Sequence, residues 1–148
     1  MTDPEAPEHR VLKLWYRPVA GGPMVERERL EVEAGHGVVG DHTFGHMRHV
    51  TLVFIDDWNA AAAELGLQVD PAGRRANVLL SGGRGLRFVG RTVRLGAIEL
   101  EVKGITAPCP VMDKAAPGMK LALQPEGRAG VWARVLSGGT LRPGDTLA

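Results

Sequence analysis

The sequence predicts a mainly β, α+β fold, a small barrel of short, mostly antiparallel strands with a few short helices. Two observations predict it. The 148 residues include 20 glycines and 10 prolines, which favours short elements joined by tight turns. The strand-like segments follow one another without regular helical crossovers, which argues against a doubly wound parallel sheet. A closed or nearly closed barrel is expected because closure removes exposed strand edges.

Strands are predicted where apolar or β-branched residues recur between turn signals. Residues 27–33 alternate charged and apolar side chains, as a half-exposed strand does, whereas residues 49–55 are rich in β-branched residues and are expected to be central and buried. A turn at Gly96-Ala97 joins two strands as a hairpin. In chain order the predicted strands are residues 11–16, 27–33, 49–55, 75–80, 92–95, 98–103, 131–136 and 146–148.

One clear helix is predicted after the third strand. Asp56 or Asp57 can cap its start. The alanines at residues 60–63 favour helix, and Gly66 stands where a C-terminal cap belongs. Residues 119–123 are predicted as a further short helical turn.

Residues 1–9 are predicted as a disordered tail and residues 10–148 as a single domain. The tail lacks the basic start and apolar core of a signal peptide. The longest apolar runs are too short to span a bilayer, and a single cysteine permits no intrachain disulfide. A cytoplasmic protein that does not bind membranes is expected.

The near balance of charge argues against a general nucleic-acid binder, because Lys and Arg number 18 against 17 Asp and Glu. Six arginines nonetheless lie between residues 74 and 94 without an acid among them. They form either a positive face for a phosphate-bearing ligand or a set of solvated strand and loop arginines.

Several common motifs are not supported. The glycine-rich residues 81–85 lack the lysine and Ser/Thr of a phosphate loop, and no serine-hydrolase elbow is present. His42, His46 and His49 lie close together, but the glycines around them disfavour the helix that would place two ligands on one face. A permanent zinc site is therefore not expected.

Cys109 is the candidate reactive residue. It stands in Thr106-Ala107-Pro108-Cys109-Pro110, where each proline biases the preceding residue toward extended geometry and stiffens the loop. A thiolate here can ligate a soft metal or carry sulfane sulfur as a persulfide. Nearby arginines would favour the deprotonated thiolate, and the candidate arginines are Arg75, Arg128 and Arg134. The alternative is a buried, inert cysteine.

The motifs taken together resemble the MOSC domain, which is found at the C-terminus of molybdenum cofactor sulfurase and in amidoxime-reducing enzymes. The resemblance extends from about Val11 to the end of the chain. It implies a β-barrel with strand-connecting helices, and it implies that Cys109 matches the family cysteine that bears sulfur or ligates molybdenum. The matching segments are Gly37-Val38-Val39-Gly40-Asp41-His42, Arg48-His49-Val50-Thr51-Leu52, Arg75-Ala76-Asn77-Val78-Leu79, Pro108-Cys109, Arg128-Ala129-Gly130-Val131-Trp132-Ala133-Arg134-Val135 and Gly144-Asp145.

The resemblance also implies a cofactor-binding pair. Arg75 and Asn77 match an Arg-x-Asn pair that contacts the pterin phosphate region in family members with bound cofactor. The role is physically reasonable, since arginine binds phosphate with paired donors and an amide can donate or accept beside it. For Asn77 the alternative is a strand-edge residue that bonds its own backbone.

Further cofactor-binding candidates come from the same segments. Asp41 can fix the tautomer of His42 in the glycine-rich loop; alternatively the two form an Asx turn with a solvated histidine. Arg48 and Arg134 either line the mouth of the same predicted binding site or serve as structural ion-pair partners. Arg128 is grouped with them as a binding candidate.

Two residues depart from the family pattern. Pro108 precedes the cysteine where the reductases usually have a polar residue or arginine, and Ala129 stands where the family often has glycine. Neither a second β-barrel domain nor a pyridoxal-phosphate cysteine desulfurase domain is expected within 148 residues. This chain, although its family is associated with pyridoxal-phosphate enzymes, is therefore not expected to abstract sulfur from cysteine.

The leading hypothesis is a protein that binds molybdenum cofactor (molybdopterin), or that receives sulfur as a Cys109 persulfide and delivers it to a metal–sulfur centre. A cysteine desulfurase or another donor would supply the sulfur, and a molybdenum or metal–sulfur enzyme would accept it. One alternative is a molybdenum-dependent reductase of N-hydroxylated compounds. The other is a non-catalytic cofactor-binding module with an inert cysteine.

Overall fold

The computed structural model describes residues 9–148. The predicted tail at residues 1–9 lies outside this range except for His9, which is buried. The His9 ring stands edge-on to Phe54 and Phe88, with centroid distances of 5.2 and 5.4 Å. The packed core therefore includes the residue just before the predicted start of the domain.

Strands predominate in the described residues, which confirms the mainly β, α+β prediction. The α-helices are α1 (Ile55–Glu64) and α2 (Met119–Ala122). Short 3-10 turns occupy Pro71–Arg74, Gly85–Phe88, Pro110–Lys114 and Pro125–Gly127. The strands are β1 (Val11–Tyr16), β2 (Val25–Arg27), β3 (Leu30–Glu33), β4 (Gly37–Val38), β5 (Val50–Phe54), β6 (Val78–Leu80), β7 (Thr92–Leu95), β8 (Ile98–Ile105), β9 (Val131–Ser137) and β10 (Gly139–Leu141).

The strands form two sheets, one of order β2-β1-β6-β5-β9-β8-β7 and one of order β10-β3-β4. Neighbouring strands are antiparallel except for β5 and β6, which are parallel and are joined across α1. The predicted closure into a barrel is not found, since β2 and β7 end the larger sheet. The segment predicted as a last strand instead makes two isolated bridges, Arg10–Thr146 and Leu95–Leu147, which link the β1 and β7 sides of the sheet.

Adjacent residues of the central strands face two different hydrophobic clusters. Leu52 and Leu80 belong to a cluster shared by the two sheets. Val53 and Leu79 belong to a second cluster that includes Trp58 of α1. Because β5 and β6 are buried on both faces, their sequences are continuously apolar instead of alternating.

Some predicted boundaries shift where tertiary contacts override local preference. Residues 27–33 are divided, because β2 pairs with β1 in the larger sheet and β3 pairs in the smaller one. The predicted strand at residues 75–80 begins only at Val78. Arg75 follows a 3-10 turn in left-handed geometry, with φ 61° and ψ 39°.

The predicted capping role of the aspartates is wrong. β5 continues directly into α1, and Phe54 occupies the N-cap position without a side-chain hydrogen bond. Asp57 instead accepts the backbone N–H groups of Arg84 and Gly85, at 2.8 and 3.0 Å. Its carboxylate therefore holds the loop after β6 beside the first turn of α1. The predicted C-terminal cap is confirmed, because Gly66 adopts φ 68° directly after α1.

None of the helices in residues 9–148 has both the length and the apolar character needed to cross a membrane.

Candidate functional site

A pocket of about 300 Å³ lies where β1, β5 and β6 meet the loop that carries Cys109. Four arginines line it, together with the cysteine. Six of the predicted site residues are brought together here: Asp41, His42, Arg48, Arg75, Asn77 and Cys109. The remaining wall includes Arg17, Met24, Thr43, Thr51, Arg74, Thr106, Ala107 and Met112.

Cys109 is half-buried in the wall of this pocket. It precedes the 3-10 turn Pro110–Lys114 with extended geometry, φ −126° and ψ 167°, as the following proline predicts. Its carbonyl accepts the N–H of Met112 at 3.0 Å. The side chain packs against the second hydrophobic cluster on one side and faces the pocket on the other. The thiol is thus neither sealed in the core nor free in solvent.

Arg74 is one of two pocket arginines that sequence reasoning did not assign to the site. Its side chain is only 6% exposed. Nε donates to the carbonyl of Ala129, and Nη2 donates to Thr106 Oγ1 at 2.7 Å. Within the described chain no carboxylate pairs with it. Burial lowers the pKa of Arg74 to about 10, an effect that Cys109 opposes and Arg48 reinforces. The guanidinium therefore remains charged at neutral pH.

Arg75 lies at the junction of this pocket with a shallower neighbouring one. Its Nη2 donates to the Gly22 carbonyl, which holds the β1–β2 loop beside the site. Its Nε is buried and has no acceptor among residues 9–148. An N–H group without an acceptor is costly, so Arg75 retains capacity to bind an anion. The neighbouring pocket, of about 390 Å³, also includes Met24 and Lys114.

Asn77 lines the pocket but uses its amide to join strands. Oδ1 accepts the N–H and the hydroxyl of Thr51, at 3.0 and 3.2 Å. Nδ2 donates to the carbonyl of Trp15 at 3.3 Å. The side chain therefore ties β5 and β1 to the start of β6. This differs from the alternative of a local bond to its own backbone, and a binding role for Asn77 stays a prediction.

Asp41 is the one carboxylate of the pocket wall, and its oxygens are occupied by internal donors. Oδ1 accepts the Arg17 N–H at 2.8 Å, and Oδ2 accepts both the N–H and the hydroxyl of Thr43. The contact to Thr43 is an Asx turn. Asp41 is 6% exposed, and its negative charge opposes the lowering of the Arg17 pKa, so a single carboxylate stands against the four arginines of the pocket wall.

His42 is positioned mainly by Arg17, which sequence analysis missed because no motif marks it. The Nδ1 of His42 lies 3.1 Å from the Arg17 carbonyl, and its Nε2 lies 2.9 Å from Arg17 Nη2. This pattern assigns the ring proton to Nδ1. The Asp41 carboxylate is 3.6 Å away from Nδ1, so it is not the principal partner. Burial lowers the pKa of Arg17, as does Arg75, against the influence of Asp41 and Cys109.

The other predicted arginines have different surroundings. Arg48 is exposed at the pocket mouth, with its guanidinium 5.5 Å from the centre of the Trp132 ring. Arg128 lies outside the pocket lining and binds Glu64 at 2.6 Å. Arg134 also lies outside the lining and donates to the Met47 carbonyl at 2.9 Å. Its contact is thus a structural one.

The three clustered histidines do not converge. His46 is exposed, whereas His49 is buried and accepts the Val135 N–H at its Nδ1. Among residues 9–148, no group of three or more His, Cys, Asp or Glu side chains is placed to hold a metal ion. The chemistry available at the site is a thiol that faces a strongly cationic pocket.

Comparisons with known proteins agree with the fold. The MOSC domain matches residues 39–148. The YUAD protein from Bacillus subtilis has a TM-score of 0.78 at 20% identity, with 94% of this chain and 93% of that chain covered. YiiM from Geobacillus stearothermophilus has a TM-score of 0.70 at 16% identity, with 95% and 74% covered. YiiM from Escherichia coli has a TM-score of 0.66 at 20% identity, with 94% and 69% covered. No curated protein matches the sequence.

Proposed function

The chain belongs to the MOSC domain family, which is associated with molybdenum cofactor-related function, and we propose that it carries sulfur as a persulfide on Cys109. The supporting observation is the set of charged residues that surround the Cys109 thiol. Cys109 lines a pocket with four arginines, and the one carboxylate there is bound by internal donors. Such surroundings attract anions, including the anionic groups that carry transferable sulfur.

The proposed reaction is two thiol–persulfide exchanges. The Cys109 thiolate attacks the outer sulfur of a donor persulfide; a new S–S bond forms at Cys109 as the donor S–S bond breaks, and the donor leaves as a thiolate. A nucleophilic acceptor then attacks the same outer sulfur and restores the Cys109 thiolate. No net oxidation occurs. A cysteine desulfurase is one possible donor, and a molybdenum or other metal–sulfur enzyme is the proposed acceptor.

The residues of the pocket also fit the phosphate and sulfur chemistry of a molybdenum cofactor. A thiolate is a ligand that soft metals accept, and the unpartnered Nε of Arg75 suits an anionic group. Cys109 would ligate the metal, and Arg75 with Arg48 would hold the phosphate end. When bound, the cofactor would supply a redox-active metal. Asn77 would keep the floor of the pocket in place through its bonds to Thr51 and Trp15.

The proposal is tested by persulfide analysis of the intact chain. The protein is incubated with a cysteine desulfurase and cysteine, and the Cys109 peptide is measured by mass spectrometry. One added sulfur atom is expected on Cys109 in the wild type, and none on the same peptide of Cys109→Ser. Molybdenum and pterin are measured in both proteins after expression in a host that makes the cofactor. An unmodified Cys109, together with molybdenum and pterin contents that the substitution leaves unchanged, would refute the proposal.

A further inference from the structure

We infer that the pocket takes sulfur directly from a small oxyanion that carries a sulfane sulfur, a class whose simplest member is thiosulfate. This inference rests on the proposed role of Cys109 as a sulfur carrier. It adds the class of donor, and it requires no partner protein to deliver the sulfur.

The first argument is the uncompensated charge of Arg74. This side chain is 6% exposed, and its hydrogen bonds go to neutral acceptors, the Ala129 carbonyl and the Thr106 hydroxyl. Within the described chain no carboxylate forms an ion pair with it, and Asp41 of the same pocket wall is bonded to Arg17 and Thr43 instead. A buried cation without a counter-ion is unfavourable. An anion in the adjoining pocket supplies the missing charge.

The second argument is the number of cations that line the same pocket. Arg17, Arg48 and Arg75 line the pocket with Arg74. The Nε of Arg75 lacks an acceptor among residues 9–148, and the exposed guanidinium of Arg48 lies over the Trp132 ring. Guanidinium groups bind the oxygens of a tetrahedral oxyanion with paired N–H donors. Several such groups together suit a dianion better than a carboxylate.

The third argument is the size of the pocket and the access that it gives to Cys109. The pocket measures about 300 Å³, at the lower limit of ligand pockets. Its cysteine is half-buried and flanked by the apolar side chains of Met112 and Ala107. A protein-borne persulfide would have to extend into this space, whereas a small ion enters it without rearrangement. The pocket therefore favours a donor of few atoms and high charge.

The chemistry follows from this placement. The Cys109 thiolate attacks the outer sulfur of thiosulfate. A new S–S bond forms at Cys109 while the S–S bond of thiosulfate breaks, and its electron pair leaves with sulfite. The outer sulfur remains on Cys109 as a persulfide anion, so charge, atoms and electrons balance. The guanidinium groups stabilise the sulfite that departs, as preorganised donors stabilise developing charge.

The test compares two donors on the reduced, intact chain. Thiosulfate is added in one arm and cysteine persulfide in the other; Cys109 persulfide is measured by mass spectrometry and released sulfite by a colorimetric assay. Thiosulfate is expected to produce sulfite and Cys109 persulfide in equal amounts. Arg48→Ala, which removes a cation at the exposed mouth, is expected to slow the thiosulfate reaction by about tenfold. The same substitution should affect the cysteine persulfide reaction less.

Arg94→Ala is the charge-matched control, because Arg94 is exposed on β7 and outside the pocket. It should leave the thiosulfate reaction unchanged. If Arg48→Ala and Arg94→Ala slow the thiosulfate reaction equally, the assignment of thiosulfate binding to this pocket would be overturned. Transfer from cysteine persulfide without transfer from thiosulfate would overturn this inference and leave the carrier role intact. Transfer from neither donor would count against both.

Discussion

Arg74 Nη2 donates a hydrogen bond to Thr106 Oγ1 at 2.7 Å. That hydroxyl in turn donates to the Ala129 carbonyl at 2.8 Å. Thr106 directly follows β8 and leads through Ala107 and Pro108 to Cys109. The buried arginine therefore fixes the segment that carries the thiol to the segment that enters β9.

Thr106→Val tests this link. Valine keeps the shape of threonine but removes the acceptor of Arg74 and the donor to Ala129, so buried polar groups lose partners. A loss of about 1–3 kcal/mol in the free energy of unfolding is expected from urea titration. Thr92→Val, at an exposed position of β7, serves as the control and should change stability by less than about 0.5 kcal/mol. Equal effects of the two substitutions would contradict the structural role of Thr106.

His49 predicts a pH dependence of stability. Its side chain is 1% exposed, its Nδ1 accepts the Val135 N–H at 2.9 Å, and its Nε2 has no partner in the described chain. Burial lowers the pKa of His49, and electrostatic interactions with Arg134 and His36 lower it further. The unfolded chain, with an ordinary histidine pKa near about 6.5, therefore takes up the proton first. The stabilisation is fully present above that pH and is lost as the pH falls through the lower folded-state pKa.

Unfolding titrations between pH 8 and pH 5 measure this effect. His49→Gln should reduce the fall in stability across this interval, although the variant starts from a lower value. His46→Gln replaces an exposed histidine and should retain the wild-type slope. If His49→Gln keeps the full slope, another group is responsible for the pH dependence.

Asn77→Ala separates a structural role from a binding role. The alanine removes three hydrogen bonds that join β1 and β5 to the start of β6. The free energy of unfolding is expected to fall by about 2–4 kcal/mol, since each hydrogen bond makes a net contribution of about 0.5–1.5 kcal/mol. Thermal denaturation should show a melting temperature lower by at least about 4 °C. A variant of wild-type stability that no longer binds an anion would instead assign Asn77 to direct contact.

Sulfate should protect Cys109 from alkylation. It resembles thiosulfate in shape and charge but carries no transferable sulfur, so it can only occupy the cationic pocket. The rate of modification by iodoacetamide should fall to about half at a sulfate concentration equal to its Kd. Sodium chloride at the same ionic strength is the control for general screening. Equal protection by the two salts would show that no specific anion site covers the thiol.

Gly130 tests a close approach of the backbone beside the site. It adopts φ 102°, and an added Cβ would lie 2.1 Å from the Leu52 carbonyl oxygen. Gly130→Ala should therefore destabilise the fold by more than about 3 kcal/mol. Gly21 adopts φ 74° and has open space around it. Gly21→Ala should therefore lower the free energy of unfolding only by the penalty for a left-handed alanine, about 1–2 kcal/mol. Circular dichroism in urea compares the two variants.

The sequence predicted elements whose signals are local. The β7–β8 hairpin has the expected turn at Gly96-Ala97, and β5 is buried as its β-branched residues indicate. The short strand Gly139–Leu141 was not predicted, because glycine has little strand preference and this strand depends on its pairing with β3.

The site was less accessible to sequence reasoning. Arg74 and Arg75 are adjacent and chemically identical, yet Arg74 is buried and Arg75, in left-handed geometry, is partly exposed. Arg17 reaches His42 across 25 residues of sequence, and no local pattern marks such a contact. By contrast, Cys109 between two prolines carried its own signal in the sequence.

The bonds of Asn77 to Thr51 and Trp15 join three strands beneath the pocket, and this has a consequence for protein engineering. A base built from paired strands tolerates little remodelling, whereas the rim is made of loop residues such as Arg48 and Met24. New ligand preferences should therefore be sought by randomising the rim, with the strand residues kept constant. Libraries that vary Asn77 or Thr51 would mostly sample destabilised chains.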